Sequence, residues 1–151
     1  PVGYLFPDTY FIPVTATATS TVKIMRDNFV RKIFLLMPEI ERSGRTLEEI
    51  IVMASLIEGE ANRGPDREMV SDVLWKRLKL GMPLQVDVEM KTYEFPGLPK
   101  KPINNPGLAS IRAAISPSST PYLYYLTGDD GNMYYSRTFE EHVAKKQKYI
   151  E

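Results

Sequence analysis

Residues 46–62, TLEEIIVMASLIEGEAN, decide the fold of this chain. Thr46 lies three residues before Glu49, which is the capping-box pattern that begins a helix. Residues 50–57 are apolar on almost every side, and a helix of that composition belongs in the interior rather than at a surface. Gly64 and Pro65 end the segment. The sequence therefore predicts one buried central helix around which the other elements pack.

Other elements are predicted on both sides of this helix. Residues 22–37 follow a Thr/Ser-rich stretch of N-cap formers and read as a helix stopped by Pro38. A further helix follows Pro65 and ends at Gly81, and residues 108–115 form a short helix within a proline-rich loop. Two aromatic runs flanking residues 128–131 (GDDG) predict a β-hairpin, residues 3–11 a short strand and turn, and Thr138 caps a last helix. Helices with a hairpin and short strands indicate the α+β class.

Composition excludes several kinds of protein. The chain has 151 residues, with 19 basic and 19 acidic side chains, so bulk charge does not favour binding of nucleic acid. It has no cysteine and one histidine, which excludes disulfides and thiolate or multi-histidine metal sites. No run of 18 apolar residues is present to span a membrane. Residues 1–151 are expected to be a single domain, and the abrupt start at Pro1 suggests that it was excised from a longer protein.

Two glutamates at the end of the central helix are candidates for chemistry. Glu58 and Glu60 are two residues apart, which is about 200° around a helix, so they point to nearly opposite sides. Glu60 shares a line with Met53 and Leu56, and it lies where the helix dipole and burial both favour a protonated carboxyl. A protonated carboxyl near neutral pH suits a general acid. The alternative is that both side chains face solvent at a frayed helix end.

Three polar residues further along the chain are candidates for a groove. Arg77 falls on the apolar line of its helix, so it either needs a carboxylate or carbonyl partner or extends to the surface. Gln85 and Asp87 alternate after a turn, and in an extended chain they share one face. The single histidine, His142, is expected to be structural or exposed. The nine tyrosines suit sugar stacking in a cleft, although core and hairpin packing is the more frequent role.

Taken together, five segments resemble the endolytic murein transglycosylase (YceG-like) family. They occur in the family's order and cover most of the chain: GYLFPDTY at 3–10, MASLIEGEA at 53–61, VLWKRLKLGMPLQVD at 73–87, TYEFPGLPKKPINNPG at 92–107, and PYLYYLTGDDG with a later EEH across 121–142. Each segment alone is weak, but the combination is specific. The resemblance implies a lysozyme-like catalytic core.

The resemblance also implies an activity. Enzymes of this family cut nascent peptidoglycan strands internally, at the β-1,4 bond between N-acetylmuramic acid and N-acetylglucosamine, and leave a 1,6-anhydro sugar end. The second glutamate of the family motif is catalytic, and it maps onto Glu60. Glu58 is then a supporting residue, with Arg77 as the buried cation that it meets. No metal and no cofactor is implied.

Substrate, partners and location follow from the same resemblance. The family pattern places Gln85, Asp87, Thr92 and Tyr93 at the glycan groove. The expected partners are peptidoglycan strands and peptidoglycan synthases. The expected location is the extracytoplasmic face of the inner membrane, reached through an anchor outside this chain.

The sequence departs from the family pattern at several points. Val2, Lys76 and Met133 replace a glutamate, an asparagine and a histidine, and Met90-Lys91 replaces Tyr-Asn. A longer insert that the family carries after Asp87 is missing. Two rival functions therefore stay open: a lysozyme-type hydrolase with Asp87 as its second carboxylate, and a glycan-binding domain without activity.

Overall fold

The structure is a computed structural model, and it describes residues 2–151. These residues form six helices and one β-hairpin, the α+β architecture that the sequence predicts. The elements in chain order are α1 (Ala18–Ser43), α2 (Leu47–Glu60), α3 (Gly64–Lys79), α4 (Lys91–Glu94), α5 (Leu108–Ile115), β1 (Tyr124–Thr127), β2 (Met133–Ser136) and α6 (Phe139–Tyr149).

Helix α2 is the centre of the molecule. Both halves of its capping box form: the Thr46 hydroxyl accepts from the Glu49 amide, and the Glu49 carboxylate accepts from the Thr46 amide. Every residue from 50 to 57 is buried, because α5 and α3 pack against it. The core is completed by apolar side chains of α1, α3 and α5 and of the loop before α4. The prediction of a buried central helix is confirmed.

Helix α1 is longer than the sequence predicts. It begins after Thr17, whose side chain accepts from Ser20, and ends at Gly44, which has φ 72° and donates its amide to the Glu41 carbonyl. The prediction that Pro38 stops the helix is wrong. Pro38 has no amide to donate to the Phe34 carbonyl, and both residues lie on the exposed side of α1, so this carbonyl is not left unpaired in a buried environment.

The predicted strand at residues 3–11 does not form. The amides of Gly3 and Leu5 both donate to Asn105 Oδ1, at 2.6 Å and 3.3 Å, and the Phe6 amide donates to the Met25 carbonyl. These donors are therefore satisfied by a side chain and by a helix rather than by a neighbouring strand.

The hairpin and α6 form the wall of the molecule that faces the end of α2. Strands β1 and β2 are antiparallel, with Tyr125 opposite Tyr135 and Leu126 opposite Tyr134. Helix α6 packs on both strands, and its cap at Thr138 is the predicted one. The end of α3 is also as predicted, since Gly81, with φ 69°, follows it directly. No helix within residues 2–151 combines the length and apolarity needed to cross a bilayer.

Candidate active site

Glu60 is the last residue of α2, and its half-buried carboxylate points toward the hairpin. The Tyr125 hydroxyl donates to Glu60 Oε2 at 3.1 Å, and the Val88 amide donates to Oε1 at 3.4 Å. One contact comes from β1 and the other from the loop between α3 and α4. The side chain is thus held between two elements that are far apart in the sequence.

Burial raises the pKa of the Glu60 carboxyl above its ordinary value. The hydrogen bonds from Tyr125 and Val88 lower this pKa in part, and the nearby Asp87 carboxylate raises it. The last turn of α2 adds the negative end of the helix dipole, which also disfavours the charged form. Glu60 can therefore carry a proton at a higher pH than a solvated glutamate, as a general acid requires.

Gly59, between the two glutamates, allows the loop to approach the helix. A Cβ atom at Gly59 would lie 2.6 Å from Val88 Cγ1, closer than real Cβ atoms come. The absence of a side chain therefore lets Val88 pack on the end of α2, and this places the Val88 amide against Glu60. The loop also has its own brace, since the Thr92 hydroxyl accepts from the Val86 amide at 2.9 Å and donates to the Glu89 carbonyl at 2.7 Å.

A cavity of about 320 Å³ opens in front of Glu60, and we name it the first cleft. Its walls come from α2, α3, the loop before α4, β1 and α6. The lining residues are Glu60, Arg77, Leu84, Gln85, Asp87, Tyr93, Tyr125, Leu126, Thr127, His142, Lys146 and Ile150. Of the seven candidate residues singled out from the sequence, five lie here: Glu60, Arg77, Gln85, Asp87 and Tyr93.

Arg77 does not meet Glu58, which corrects the expected pairing. Its Nε donates to the Leu123 carbonyl at 2.7 Å, and its Nη1 donates to the Pro83 and Leu84 carbonyls and to Gln85 Oε1 at 3.1–3.2 Å. The guanidinium also lies 4.9 Å from the centre of the Tyr124 ring. Backbone carbonyls are thus the partners of this buried arginine, which ties α3 to the loop and to the segment before β1.

Gln85 and Asp87 reach the first cleft, but not from the extended chain that the alternating pattern suggests. Gln85 has φ 55°, which lies in the left-handed region. Within residues 2–151 it is the one residue other than glycine with a positive φ. Such a backbone is strained by about 1–2 kcal/mol. It is held here by the hydrogen bond from Arg77 to the Gln85 side chain and by the hydrogen bond from the Gln85 amide to the Thr92 carbonyl. The Tyr93 hydroxyl donates to Asp87 Oδ1, and burial together with Asp87 raises the pKa of Tyr93 to about 12.

Thr92 and Glu58 lie outside the first cleft. Thr92 is buried, with its hydroxyl turned inward to brace the loop, so it does not line the first cleft. Glu58 lies on the other side of α2 from Glu60, as the spacing predicts. It accepts from the Ser110 hydroxyl and, at 3.4 Å, from the Gly107 amide, which places its carboxylate at the N-terminus of α5.

His142 and Lys146 of α6 line the first cleft, although the sequence favours a structural or exposed histidine. The His142 ring stacks on Tyr124 with centroids 5.4 Å apart. Burial lowers the pKa of His142, and the charges of Arg77 and Lys146 lower it further, so the cleft favours the neutral imidazole. The i, i+4 spacing places His142 and Lys146 on one side of α6, which the sequence alone shows. Only the docking of α6 on the hairpin shows that this side faces the cleft.

The substitution at Lys76, where the family pattern has asparagine, is accommodated outside the first cleft. Lys76 Nζ lies 2.9 Å from Asp72 Oδ2 and donates to the Thr120 carbonyl at 2.6 Å.

Residues 2–151 contain no group of three His, Asp or Glu side chains arranged to hold a metal ion.

These features define a class: an α+β protein with one glutamate of raised pKa at the end of a buried helix, facing a cleft that Tyr93 and Tyr125 help to line. Comparison with protein families gives the particular family. The YceG-like family model matches residues 2–91 and 88–148, and the chain belongs to this family. The two matched segments overlap at residues 88–91, in the loop where the sequence is expected to be shorter than the family pattern.

Similar proteins carry a specific name. The endolytic murein transglycosylase of Bacillus subtilis (strain 168) is 32% identical over an alignment 171 residues long, and the match covers 98% of this chain and 48% of that protein. The protein of the same name from Streptococcus pneumoniae (strain R6) is 27% identical, over 98% of this chain and 32% of its own length. The chain thus spans half or less of the length of these relatives.

A solved structure agrees with this family membership. The crystal structure of a YceG-like protein from Listeria monocytogenes superposes with a TM-score of 0.88 at 32% sequence identity. The match covers 95% of this chain and 55% of that one. The fold described above is therefore a fold of the family.

Proposed function

We propose that this chain is the catalytic domain of a peptidoglycan lytic transglycosylase that cuts glycan strands internally. The β-1,4 bond between N-acetylmuramic acid and N-acetylglucosamine is its target, and a 1,6-anhydromuramoyl end is its product. The observation that carries this proposal is the position of Glu60, a half-buried carboxyl of raised pKa at the base of the first cleft. The names of the similar proteins supply the substrate class.

One carboxyl group is sufficient for both halves of this reaction. Protonated Glu60 gives its proton to the glycosidic oxygen as the bond from that oxygen to the muramoyl C1 breaks. The resulting carboxylate then accepts the proton of the muramoyl C6 hydroxyl, whose oxygen bonds to C1. Glu60 ends in its starting protonation state, and no water is consumed.

The surroundings of Glu60 suit both steps. Burial raises its pKa, so the acid form is available for the first step. The Tyr125 hydroxyl and the Val88 amide both donate to the carboxylate, so they stabilise the charged form that exists between the two steps. Burial thus favours the protonated form of Glu60, and the two hydrogen-bond donors favour the charged form.

A hydrolase is the second candidate, because Asp87 lines the same cleft as Glu60. The Asp87 carboxylate is near enough to raise the pKa of Glu60, and a second carboxylate is what a lysozyme-type mechanism requires. In that case water rather than the C6 hydroxyl attacks C1.

The deciding experiment is digestion of uncrosslinked glycan strands, followed by mass analysis of the new ends in water labelled with ¹⁸O. We expect unlabelled 1,6-anhydromuramoyl ends, lighter by one water than reducing ends. Reducing ends that carry ¹⁸O as the main product would establish hydrolysis instead. Strands that bind but stay intact would indicate a glycan-binding domain.

Residues 1–151 are proposed to act within a longer, membrane-anchored protein at the extracytoplasmic face of the inner membrane, beside peptidoglycan synthases. The relatives support this proposal, since this chain spans 48% and 32% of their lengths. Membrane fractionation of cells that express the full-length protein tests it. Recovery of the full-length protein in the cytosolic fraction would contradict it.

A further inference from the structure

A second cleft, of about 600 Å³, is lined in part by the same loop as the first. It is lined by Glu89, Lys91, Thr92 and residues 95–103 (FPGLPKKPI). Asp87 lines the first cleft and Glu89 the second, and two residues span at most about 7 Å of chain. The two clefts therefore share the loop of residues 87–89, and their lining residues come within about 7 Å of each other.

The walls of the second cleft are preformed. Pro96, Pro99 and Pro102 restrict the backbone of one wall. The Ile103 amide donates to Ser55 Oγ of α2 at 3.2 Å, and the buried Thr92 hydroxyl braces the other wall. Little ordering is therefore required when a ligand binds.

The second cleft is basic and partly apolar, and its lysines and Phe95 are exposed to a ligand. Three lysines, Lys91, Lys100 and Lys101, line it against one acid, Glu89, although the whole chain has no net charge. All three lysines are exposed, and none forms an ion pair within residues 2–151. Phe95 adds an apolar surface that is 66% exposed. The cleft therefore fits a ligand that combines carboxylates with short apolar groups.

We propose that the second cleft binds the acidic peptide stems that the muramoyl residues of the substrate carry. This inference rests on the proposed function. The sugar backbone of a peptidoglycan strand has no net charge where each lactyl group is amide-linked, so the lysines have no partner on the sugars of a peptide-bearing strand. The stem peptides carry free carboxylates and small apolar side chains, which match the lysines and Phe95. A concave cleft also fits a short peptide better than it fits a flat lipid surface.

Binding to the Glu60→Gln variant tests this proposal without cleavage. The two probes are fluorescent uncrosslinked strands that keep their stem peptides, and bare strands from which amidase has removed the stems and whose freed lactyl carboxylates have then been capped as methylamides. We expect tighter binding of the peptide-bearing strands, and we expect Lys100→Gln with Lys101→Gln to weaken that binding about fivefold at low salt, as for two surface charge contacts. Binding of the bare strands should not change. The matched control is Lys79→Gln with Lys148→Gln, two exposed lysines outside both clefts.

Several outcomes would overturn the proposal. The proposal is rejected if the unsubstituted lysines give equal affinity for both kinds of strand, or if peptide-bearing strands do not bind. It is also rejected if the lysine variant loses the same affinity for bare strands as for peptide-bearing strands. Binding to vesicles of anionic phospholipid that is lost in the lysine variant, with strand binding unchanged, would assign the cleft to a membrane surface instead. The readout is affinity, whereas the proposed function is tested by the products of the unsubstituted chain, so failure of one is distinguishable from failure of the other.

Discussion

Glu58 and Glu60 are separated by a single glycine, yet they belong to different environments. Glu60 faces the hairpin and the first cleft, where burial raises its pKa. Glu58 faces α5, where the Ser110 hydroxyl and the Gly107 amide donate to it. The first arrangement suits proton transfer, and the second stabilises the contact between two helices.

We expect Glu60→Gln to lower strand cleavage at least 10²-fold, since a glutamine cannot transfer a proton. The folded-state pKa of Glu60 is raised, so its ionisation costs stability as pH rises above the ordinary value of 4.5. The variant should therefore have a thermal midpoint equal to or above that of the unsubstituted chain at pH 7, and the difference should shrink below pH 4.5. A midpoint clearly lower at pH 7 would contradict this account of Glu60.

Glu58→Gln is the matched comparison. It removes the charge at the N-terminus of α5 and weakens two accepted hydrogen bonds, so we expect a loss of about 1–2 kcal/mol of stability. Cleavage per folded molecule should stay near normal, because Glu58 does not line the first cleft. A well-folded Glu58→Gln variant without activity, beside an active Glu60→Gln variant, would reverse the two assignments.

Tyr125→Phe should move the pH dependence of cleavage. The Tyr125 hydroxyl lowers the pKa of Glu60, so its removal raises that pKa further. Cleavage that needs protonated Glu60 declines as pH rises through this pKa, so the alkaline limb of kcat/KM against pH should shift upward. Tyr122→Phe, a tyrosine outside the first cleft, is the control. An unchanged limb in Tyr125→Phe would show that another group governs it.

Among the elements, the end of α2 and the loop of residues 84–92 pack against each other and together position Glu60. The loop depends on contact with α2 because Val88 occupies the space that a side chain at residue 59 would fill. The same contact places the Val88 amide at 3.4 Å from Glu60 Oε1. The Glu-Gly-Glu sequence thus encodes both the acid and the approach of the loop that positions it.

We expect Gly59→Ala to push this loop away from α2. Overpacking of this kind costs about 1–3 kcal/mol, and the displaced loop should lower cleavage about tenfold to a hundredfold. Gly64→Ala is the control, since a Cβ atom at Gly64 meets nothing within 4 Å. Adding Val88→Ala to Gly59→Ala should recover part of the stability and activity. Normal activity in Gly59→Ala alone would show that the loop can move without effect on Glu60.

At the scale of the whole molecule, Arg77 connects three parts that the sequence separates. From α3, its guanidinium bonds to carbonyls of residues 83 and 84 and of residue 123 before β1. These are the two walls of the first cleft, so one buried side chain sets the distance between them.

Arg77→Lys should therefore destabilise the fold and widen the first cleft. An ammonium group cannot serve carbonyls on both walls, and leaving buried acceptors unpaired costs about 2–4 kcal/mol. Urea denaturation measures this loss, and amide hydrogen exchange should become faster at Gln85 and Leu123. Arg112→Lys, on the exposed side of α5, is the control. Unchanged exchange on one wall would show that Arg77 does not hold the two walls together.

The sequence by itself determined the buried helix α2, the hairpin, the caps at Thr46 and Thr138, and the opposite orientation of Glu58 and Glu60. Each of these depends on periodicity or on contacts within a few residues, which a sequence records directly. The motifs also identified the family. The extension of α1 past Pro38 depended instead on which side of that helix is exposed to solvent. The absence of a strand at residues 3–11 depended on Asn105, which is distant in the sequence and accepts the backbone donors of this segment.

Only the tertiary structure decided the partners of the buried groups. Arg77 binds carbonyls instead of Glu58, Thr92 turns inward, and His142 with Lys146 reaches the first cleft. Residue 77 is 46 residues from its carbonyl partner at 123, and Glu60 is 65 from Tyr125. Contacts over such separations are set by the packing of α2, α3 and the hairpin around one core. A buried polar group takes whichever partner that packing brings within hydrogen-bond distance, and no local pattern specifies which one it is.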